Sequence, residues 1–342
     1  MTGIITYSRN VSIPVTTICR NRCGYCSFSR EPGSAATPLL PPEEIERLLR
    51  LGAEAACTEA LFITGERADD VSPAVCDRLS AWGYRNMVEY LVAMGNTALQ
   101  YGLLPHTNAG VLSQTELSAL RSVNASMGLM LESSSERLCR DGGPHAGSPG
   151  KRPAARLHCI EQAGELNIPF TTGILVGIGE TPGERIDALS HIARLHHKYG
   201  HIQEVIIQPF CPKPNTPMSS NPAPPIAAVL DTIAHARLIL GPGMNIQAPP
   251  NLVQSHELCL RAGANDWGGL SPFTLDTINP DNHWPGLPVL EDSTRAAGAT
   301  LCERLPVYPE FVTDHYLPRR VREVAANLMD NNGYARKNRR HG

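Results

Sequence analysis

Cys19-Arg20-Asn21-Arg22-Cys23-Gly24-Tyr25-Cys26 places three thiols within eight residues, spaced C-x3-C-x2-C. Three thiolates on one compact loop can hold three irons of a 4Fe-4S cube, which takes four cysteines when fully ligated. The fourth iron is then open to an external ligand. Arg20 and Arg22 add positive charge that favours thiolates, and Gly24 lets the chain wrap tightly. Two other readings compete. Structural zinc usually takes four protein ligands, and no C-x2-C partner pair is present to supply them. Three purely structural thiols would be poorly placed on a loop.

The elements that must carry this loop alternate between strand and helix. Residues 11–18 are β-branched and extended, and the cysteines follow directly. Further strands are expected over 60–64, 103–107, 125–131, 168–176 and 205–208, with weaker ones over 244–247 and 265–267. Helices are expected over 41–56, 84–101, 115–123, 154–163, 184–199 and 226–240. In the first of these, Ile45, Leu48 and Leu49 form an apolar stripe behind Pro42, Glu43 and Glu44. Such alternation implies parallel strands joined by right-handed crossovers. Six clear units and two weaker ones favour an α/β fold of the (β/α) TIM-barrel type, full or partial. No G-x-G-x-x-G follows the first strand, which weakens a doubly wound alternative. Residues 5–250 read as the barrel core, and 251–342 as its C-terminal completion and tail. The basic tail residues Arg336, Lys337, Arg339 and Arg340 read as a solvated end.

In a barrel, chemistry sits at the C-terminal ends of the strands. The loop resembles the radical S-adenosylmethionine (SAM) superfamily, whose signature is this cysteine spacing. The resemblance implies that Cys19, Cys23 and Cys26 ligate a 4Fe-4S cluster and that the open iron binds the amino and carboxylate groups of SAM. An electron from the cluster then cleaves the sulfonium to methionine and a 5′-deoxyadenosyl radical, the cofactor carrying the radical chemistry. Thr64-Gly65-Glu66 is similar to the Gly-Gly-Glu motif that receives the SAM amino group, with Thr64 in place of the first glycine. The segment Gly173 to Glu180, including Gly177, resembles the one that lies along the adenine; a glycine-tolerant core strand is its other reading. Lys151 and Arg156 stand where cations for the SAM carboxylate are often found, or are simply solvated. Tyr25 occupies an aromatic position that can face the adenine or pack within the loop.

Longer stretches look like the deazaflavin-forming CofG-type subunit of FO synthase. They are Ile5 to Val11, Leu104 to Gly110, Gly128 to Ser133, Gln208 to Phe210 and Gly263 to Gly269. The resemblance runs from about residue 3 to about residue 308. It implies closure of a tricyclic ring from a 4-hydroxybenzyl–ribitylpyrimidine adduct, giving 7,8-didemethyl-8-hydroxy-5-deazariboflavin (FO) with loss of ammonia. It also implies a CofH-type partner that makes the adduct, and an electron donor such as flavodoxin or ferredoxin. With one C-x3-C-x2-C loop, the chain should perform one half of the conversion. A ribityl chain and a uracil ring need many neutral hydrogen-bonding groups, and His106, Asn108, Asn265 and Asp266 are candidates to supply them. Glu132 is a candidate for substrate or for the ribose or amino group of SAM. Each has a bland reading too: a turn at Asn108, a satisfied interior histidine at His106, barrel closure at Asp266 and Trp267. His196, His197 and His201 are expected at the surface. A menaquinone-pathway or biotin-synthase-like radical SAM enzyme is the alternative within the fold, and an iron-sulfur carrier the alternative outside catalysis.

Composition narrows the classes further. The 342 residues carry 30 Lys plus Arg against 33 Asp plus Glu, a net charge of −3, with 42% hydrophobic residues. That excludes a disordered chain and argues against a dedicated nucleic-acid binder. No run of about 18 apolar residues is present, so no membrane span is expected. Met1 to Asn10 lacks an apolar signal core, which favours the cytoplasm. A disulfide framework is not expected among ten cysteines of a cytosolic chain. Most of the seven outside the loop read as small buried hydrophobes.

Overall fold

The computed structural model describes residues 3–33, 39–253 and 255–336. Among them nine strands form one sheet: β1 (Gly3–Thr16), β2 (Glu59–Thr64), β3 (Leu104–Asn108), β4 (Ser126–Gly128), β5 (Phe170–Val176), β6 (Ile202–Pro209), β7 (Asn245–Gln247), β8 (Asp266–Leu270) and β9 (Ala299–Arg304). Neighbours run β2-β3-β4-β5-β6-β7-β8-β1, and β1 also pairs with β2, so eight parallel strands close into a barrel. The connecting helices lie outside it, as the sequence rhythm predicts. Strand β5 is buried at all seven positions, the pattern of a parallel strand covered on both faces.

Local signals explain where the helices start. Asn86 caps Met87–Gln100 by accepting from the Glu89 amide. Ser113 and Thr181 form capping boxes with Glu116 and Glu184. Gly200 ends Pro182–Tyr199 in the left-handed conformation, φ 66°. In Pro42–Glu54 the expected stripe is buried at Ile45 and Leu49.

Strand β1 differs from expectation in length. Its last residues, Asn10 to Thr16, pair with β2, while Gly3 to Ser8 pair with β9, an unanticipated ninth strand. Strand β8 also begins one residue later and ends three later than the expected 265–267. The residues after 250 therefore supply one barrel strand and a further strand beside β1. A second apolar cluster, including Leu104, Val123, Leu305, Val307, Tyr308, Phe311 and Val321, packs under the barrel's N-terminal end.

Two smaller expectations fail. Of the seven cysteines outside the loop only Cys57, Cys159 and Cys259 are buried; Cys76 is exposed and Cys139, Cys211 and Cys302 are half-buried. All ten are free thiols. His201 is fully buried, because its ring Nε2 hydrogen-bonds the Ile160 carbonyl at 3.0 Å across the helix–sheet interface. Of the tail, Lys337, Arg339 and Arg340 lie outside the described residues, while Arg336 hydrogen-bonds the Met329 carbonyl.

Candidate active site

A cavity of about 400 Å³ runs down the barrel from the cysteine loop toward the N-terminal strand ends. Cys19, Cys23 and Cys26 all line its mouth. The loop is held from outside by backbone bonds: Gly24 N–H to Pro144 at 2.7 Å, Met218 N–H to Gly24 at 3.0 Å and Arg20 N–H to Glu66 at 2.9 Å. Asn21 Oδ1 accepts from the Gly150 amide at 2.9 Å. Amides also point at the sulfurs. Those of Asn21 and Glu66 lie 3.4 and 3.2 Å from Cys19 Sγ, and that of Ser29 lies 3.4 Å from Cys26 Sγ. Donors of this kind stabilise thiolate charge.

Among the described residues no three His, Cys, Asp or Glu side chains converge as a single ion would require. A lone zinc needs its ligands in one tetrahedral sphere. A cube instead takes one thiolate per iron, so its cysteines stand farther apart. The donor set therefore suits a cluster: soft thiolates only, on one loop, with amide donors around them. Burial raises the Cys19 and Cys23 thiols above their ordinary value, so iron binding there releases protons.

Beside the loop, Gly65 packs so tightly that a Cβ would lie 1.9 Å from the Ile18 carbonyl oxygen. No other residue fits, and this brings Thr64 and Glu66 to the mouth. Glu66 is 3% exposed. Its carboxylate accepts from Arg20 Nε at 2.8 Å and the Val111 amide at 3.0 Å, with Arg156 3.8 Å away. Burial works to raise this carboxyl, yet Arg156, the Val111 amide and Arg20 together hold it below its ordinary value. Gly110 and Gly150 make its cradle: Cβ atoms there would lie 2.3 and 1.6 Å from Glu66.

Across the mouth, Glu132 adopts φ 66°, a left-handed conformation uncommon for a side-chain residue and often found at functional positions. It accepts from Lys151 Nζ at 2.5 Å. Burial raises it, but Lys151 and Arg156 outweigh that and keep it ionised. Arg156 is fixed by its bonds to the Gly150 and Met130 carbonyls. Tyr25 lies beneath Lys151 Nζ, 5.7 Å from its ring centre, and its hydroxyl meets His145 Nε2 at 3.1 Å.

Lower down, His106 and Asn108 line the same cavity. Burial pushes His106 down to about 4, so the ring is neutral, with Nδ1 2.6 Å from Ser126 Oγ. Gly128 leaves room for both side chains; a Cβ there would meet Asn108 Oδ1 at 2.2 Å and His106 Nε2 at 3.0 Å.

Three predicted residues are not brought to the cavity. Gly177 lies past the end of β5, φ 97°, packed against Pro224, and Leu175 lines the wall instead. Asn265 and Asp266 stand at the start of β8, not its end. Asn265 Oδ1 accepts from Arg237 at 2.9 Å and the Ile246 amide at 2.8 Å. Asp266 is fully buried, gripped by Arg304 at 2.7 and 2.9 Å and by Tyr308 at 2.8 Å. Both close the barrel's N-terminal end. Conversely, sequence reasoning missed Glu59, Glu204, Arg304 and Lys213 on the cavity wall. Lys213 is 7% exposed, and burial lowers its ammonium below the ordinary value.

Comparison with known proteins agrees with this geometry. Residues 13–192 match the model of the radical SAM superfamily. The 7,8-didemethyl-8-hydroxy-5-deazariboflavin synthase of Methanopyrus kandleri is 49% identical over 335 residues, covering 97% of this chain and all of that one. The Archaeoglobus fulgidus protein of the same name is 47% identical over 334 residues, 97% of this chain and 99% of that one. The chain belongs to the radical SAM superfamily and, within it, to this synthase family. Its cofactors are a 4Fe-4S cluster and SAM. The fold also matches methylornithine synthase PylB, with TM-score 0.63 and 18% identity over 88% of this chain and 83% of that one. The hydrogenase maturase HydG from Carboxydothermus hydrogenoformans gives 0.65 and 20% over 88% and 68%. Among the described residues no helix is long and apolar enough to cross a membrane.

Proposed function

We propose that this radical SAM enzyme closes the central ring of a deazaflavin. It would convert a 4-hydroxybenzyl–ribitylpyrimidine adduct into 7,8-didemethyl-8-hydroxy-5-deazariboflavin with release of ammonia, 5′-deoxyadenosine and methionine. The observation that carries this reading is the near-full-length identity to synthases of that name. Bound cluster and SAM would supply a one-electron cleavage of the sulfonium and a carbon radical that removes hydrogen from the substrate.

The chain's own residues would position these groups. Cys19, Cys23 and Cys26 would hold three irons. Glu66, kept ionised, would accept the SAM ammonium beside Thr64 and Gly65, and Arg156 or Lys151 would meet the carboxylate. Tyr25 would lie against the adenine, and Glu132 would bind the ribose or amino group. His106 and Asn108, facing the cavity below, would hydrogen-bond the substrate. The barrel wall of Leu61, Ile63, Leu129, Leu175 and Ile206 would exclude water around the reacting carbons.

The adduct would come from a CofH-type partner, and the electron from a donor such as flavodoxin or ferredoxin. A cytoplasmic location suits ten free thiols and a cluster that must be reduced. Anaerobic reconstitution tests the reading. With SAM, a reductant and the partner or its isolated adduct, the protein should make fluorescent deazaflavin together with deoxyadenosine and methionine. With tyrosine and the ribityl-diaminopyrimidine alone it should make none, because one pocket is expected to hold one target hydrogen within about 3–3.5 Å of the attacking atom. Deazaflavin formed without the partner, or none formed from the adduct, would refute it.

A further inference from the structure

Barrel interiors are usually filled with branched aliphatic side chains. Here the deep end of the cavity is polar. Alternate residues of a strand face one side, and the inward set comprises Ser8 and Asn10 of β1, Glu59 of β2 and Glu204 of β6, with Arg304 at the end of β9. Each is at least nine-tenths buried. Arg304 pairs with Asp266 and, at 2.8 Å, with Glu204. Glu59 accepts from Ser8 Oγ at 2.6 Å, and among the described residues it has no ion pair. Asn10 Oδ1 is buried on this wall without any hydrogen-bond partner.

An orphaned buried acceptor is costly, and native sites rarely leave one unmet. The group that meets it must be a donor. An anion would face Glu59 and Glu204, and an aliphatic chain would leave Asn10 Oδ1 without a donor. A cation would meet Arg304. Burial raises both Glu59 and Glu204 above the ordinary carboxyl value, against the pull of Arg304. Hydroxyls, each a donor and an acceptor, suit all of these neighbours. Depth fits as well. Six residue steps along β2 lead from Glu59 to Gly65 at the mouth, roughly 20 Å at a strand's rise per residue.

We propose that the deep end of the barrel is a polyol pocket in which Ser8, Asn10 and Glu59 bind the hydroxyls of the substrate's ribityl chain. The chain then points down the barrel and the rings halt near the mouth. This rests on the deazaflavin reading above.

The test is an anaerobic fluorescence titration of the reconstituted protein, with SAM, using two probes. One is the ribityl deazaflavin product; the other carries a methyl group in place of ribityl. The protein should bind the ribityl compound at least tenfold more tightly. Asn10→Leu and Glu59→Gln, both close in shape, should each reduce that preference several-fold while changing affinity for the methyl probe less than twofold. Ser8→Ala, which deletes one hydroxyl, provides the same comparison if either variant unfolds. Equal affinity for the two probes would overturn the pocket but leave the deazaflavin reading standing. Binding of neither probe would overturn both.

Discussion

Gly150→Ala is the sharpest perturbation of the proposed SAM site, because the substituted residue touches neither cysteine nor substrate. A Cβ at position 150 would lie 1.6 Å from Glu66 Oε1 and 2.4 Å from its Cδ. Contacts so short do not persist, so the carboxylate must swing away or the turn Pro149–Lys151 must shift. The Glu66 stem is seated in the space that Gly110 leaves open, where a Cβ would lie 2.3 Å from its Cγ. Swinging breaks the bonds from Arg20 Nε and the Val111 amide, 2.8 and 3.0 Å. A charged hydrogen bond contributes about 1.5–3 kcal/mol. Misplacing the carboxylate by the equivalent of one such bond should weaken SAM binding roughly 10- to 100-fold. The assay is equilibrium SAM binding to the anaerobically reconstituted protein, with iron content and cluster absorption measured alongside. Cluster assembly should be normal. A shorter carboxylate should relieve the clash, so Gly150→Ala and Glu66→Asp together should be non-additive by about 1 kcal/mol or more. Normal SAM affinity in Gly150→Ala, or simple additivity, would refute the cradle.

Three further outcomes are expected from the same geometry. Replacing Cys19, Cys23 or Cys26 by Ala should abolish cluster absorption and SAM cleavage, whereas Cys57→Ala or Cys159→Ala should not; full activity in Cys23→Ala would end the cluster assignment. Glu66→Gln should weaken SAM binding by about 1.5–3 kcal/mol with the cluster intact, and unchanged affinity would reduce Thr64-Gly65-Glu66 to a strand-end turn. Burial lowers His201 to about 4 from 6.5, so the unfolded chain takes up a proton that the folded one refuses. The stability held above pH 6.5 should fall as pH drops toward 4, by up to about 3 kcal/mol from this residue. Urea unfolding of the apo-protein at neutral and mildly acidic pH measures it; His201→Gln should flatten the slope, and parallel slopes would sink the argument.

The cysteine loop was legible because its information is local: three thiols within eight residues behind a β-branched strand. Glu66 is readable through the likeness of Thr64-Gly65-Glu66 to the Gly-Gly-Glu motif, and His106 and Asn108 because strand ends can be placed by pattern. Asn265 and Asp266 were put at the wrong end of their strand. The glycines Gly268 and Gly269 have weak strand propensity, so β8 read as ending where it begins. The deep polar wall was hidden for another reason. Arg304 meets Glu204 and Asp266 across 100 and 38 residues, and no local periodicity reports such a pairing. One trace was visible: Ser8, Asn10 and Ser12 alternate along a strand whose inward face is expected to be apolar. The glycines at 110 and 150 could not be interpreted from sequence, since their necessity lies in a side chain far along the chain.

The divided pairing of β1 sets an order on the protein's synthesis. The half that leads into the cysteine loop can find β2 within some sixty residues. The other half must wait for β8 and β9; Thr6 meets Asp266 at a separation of 260 residues. At roughly 5–20 residues per second, the first strand made leaves the ribosome roughly 13–50 seconds before its last neighbours. During that interval its N-terminal half is an unpaired edge, open to strangers, and the barrel has no floor. Non-local closure of this kind folds slowly. A chain shortened before β9 would keep the three loop thiols and the whole mouth, yet lose the seam that holds the nascent strand in register.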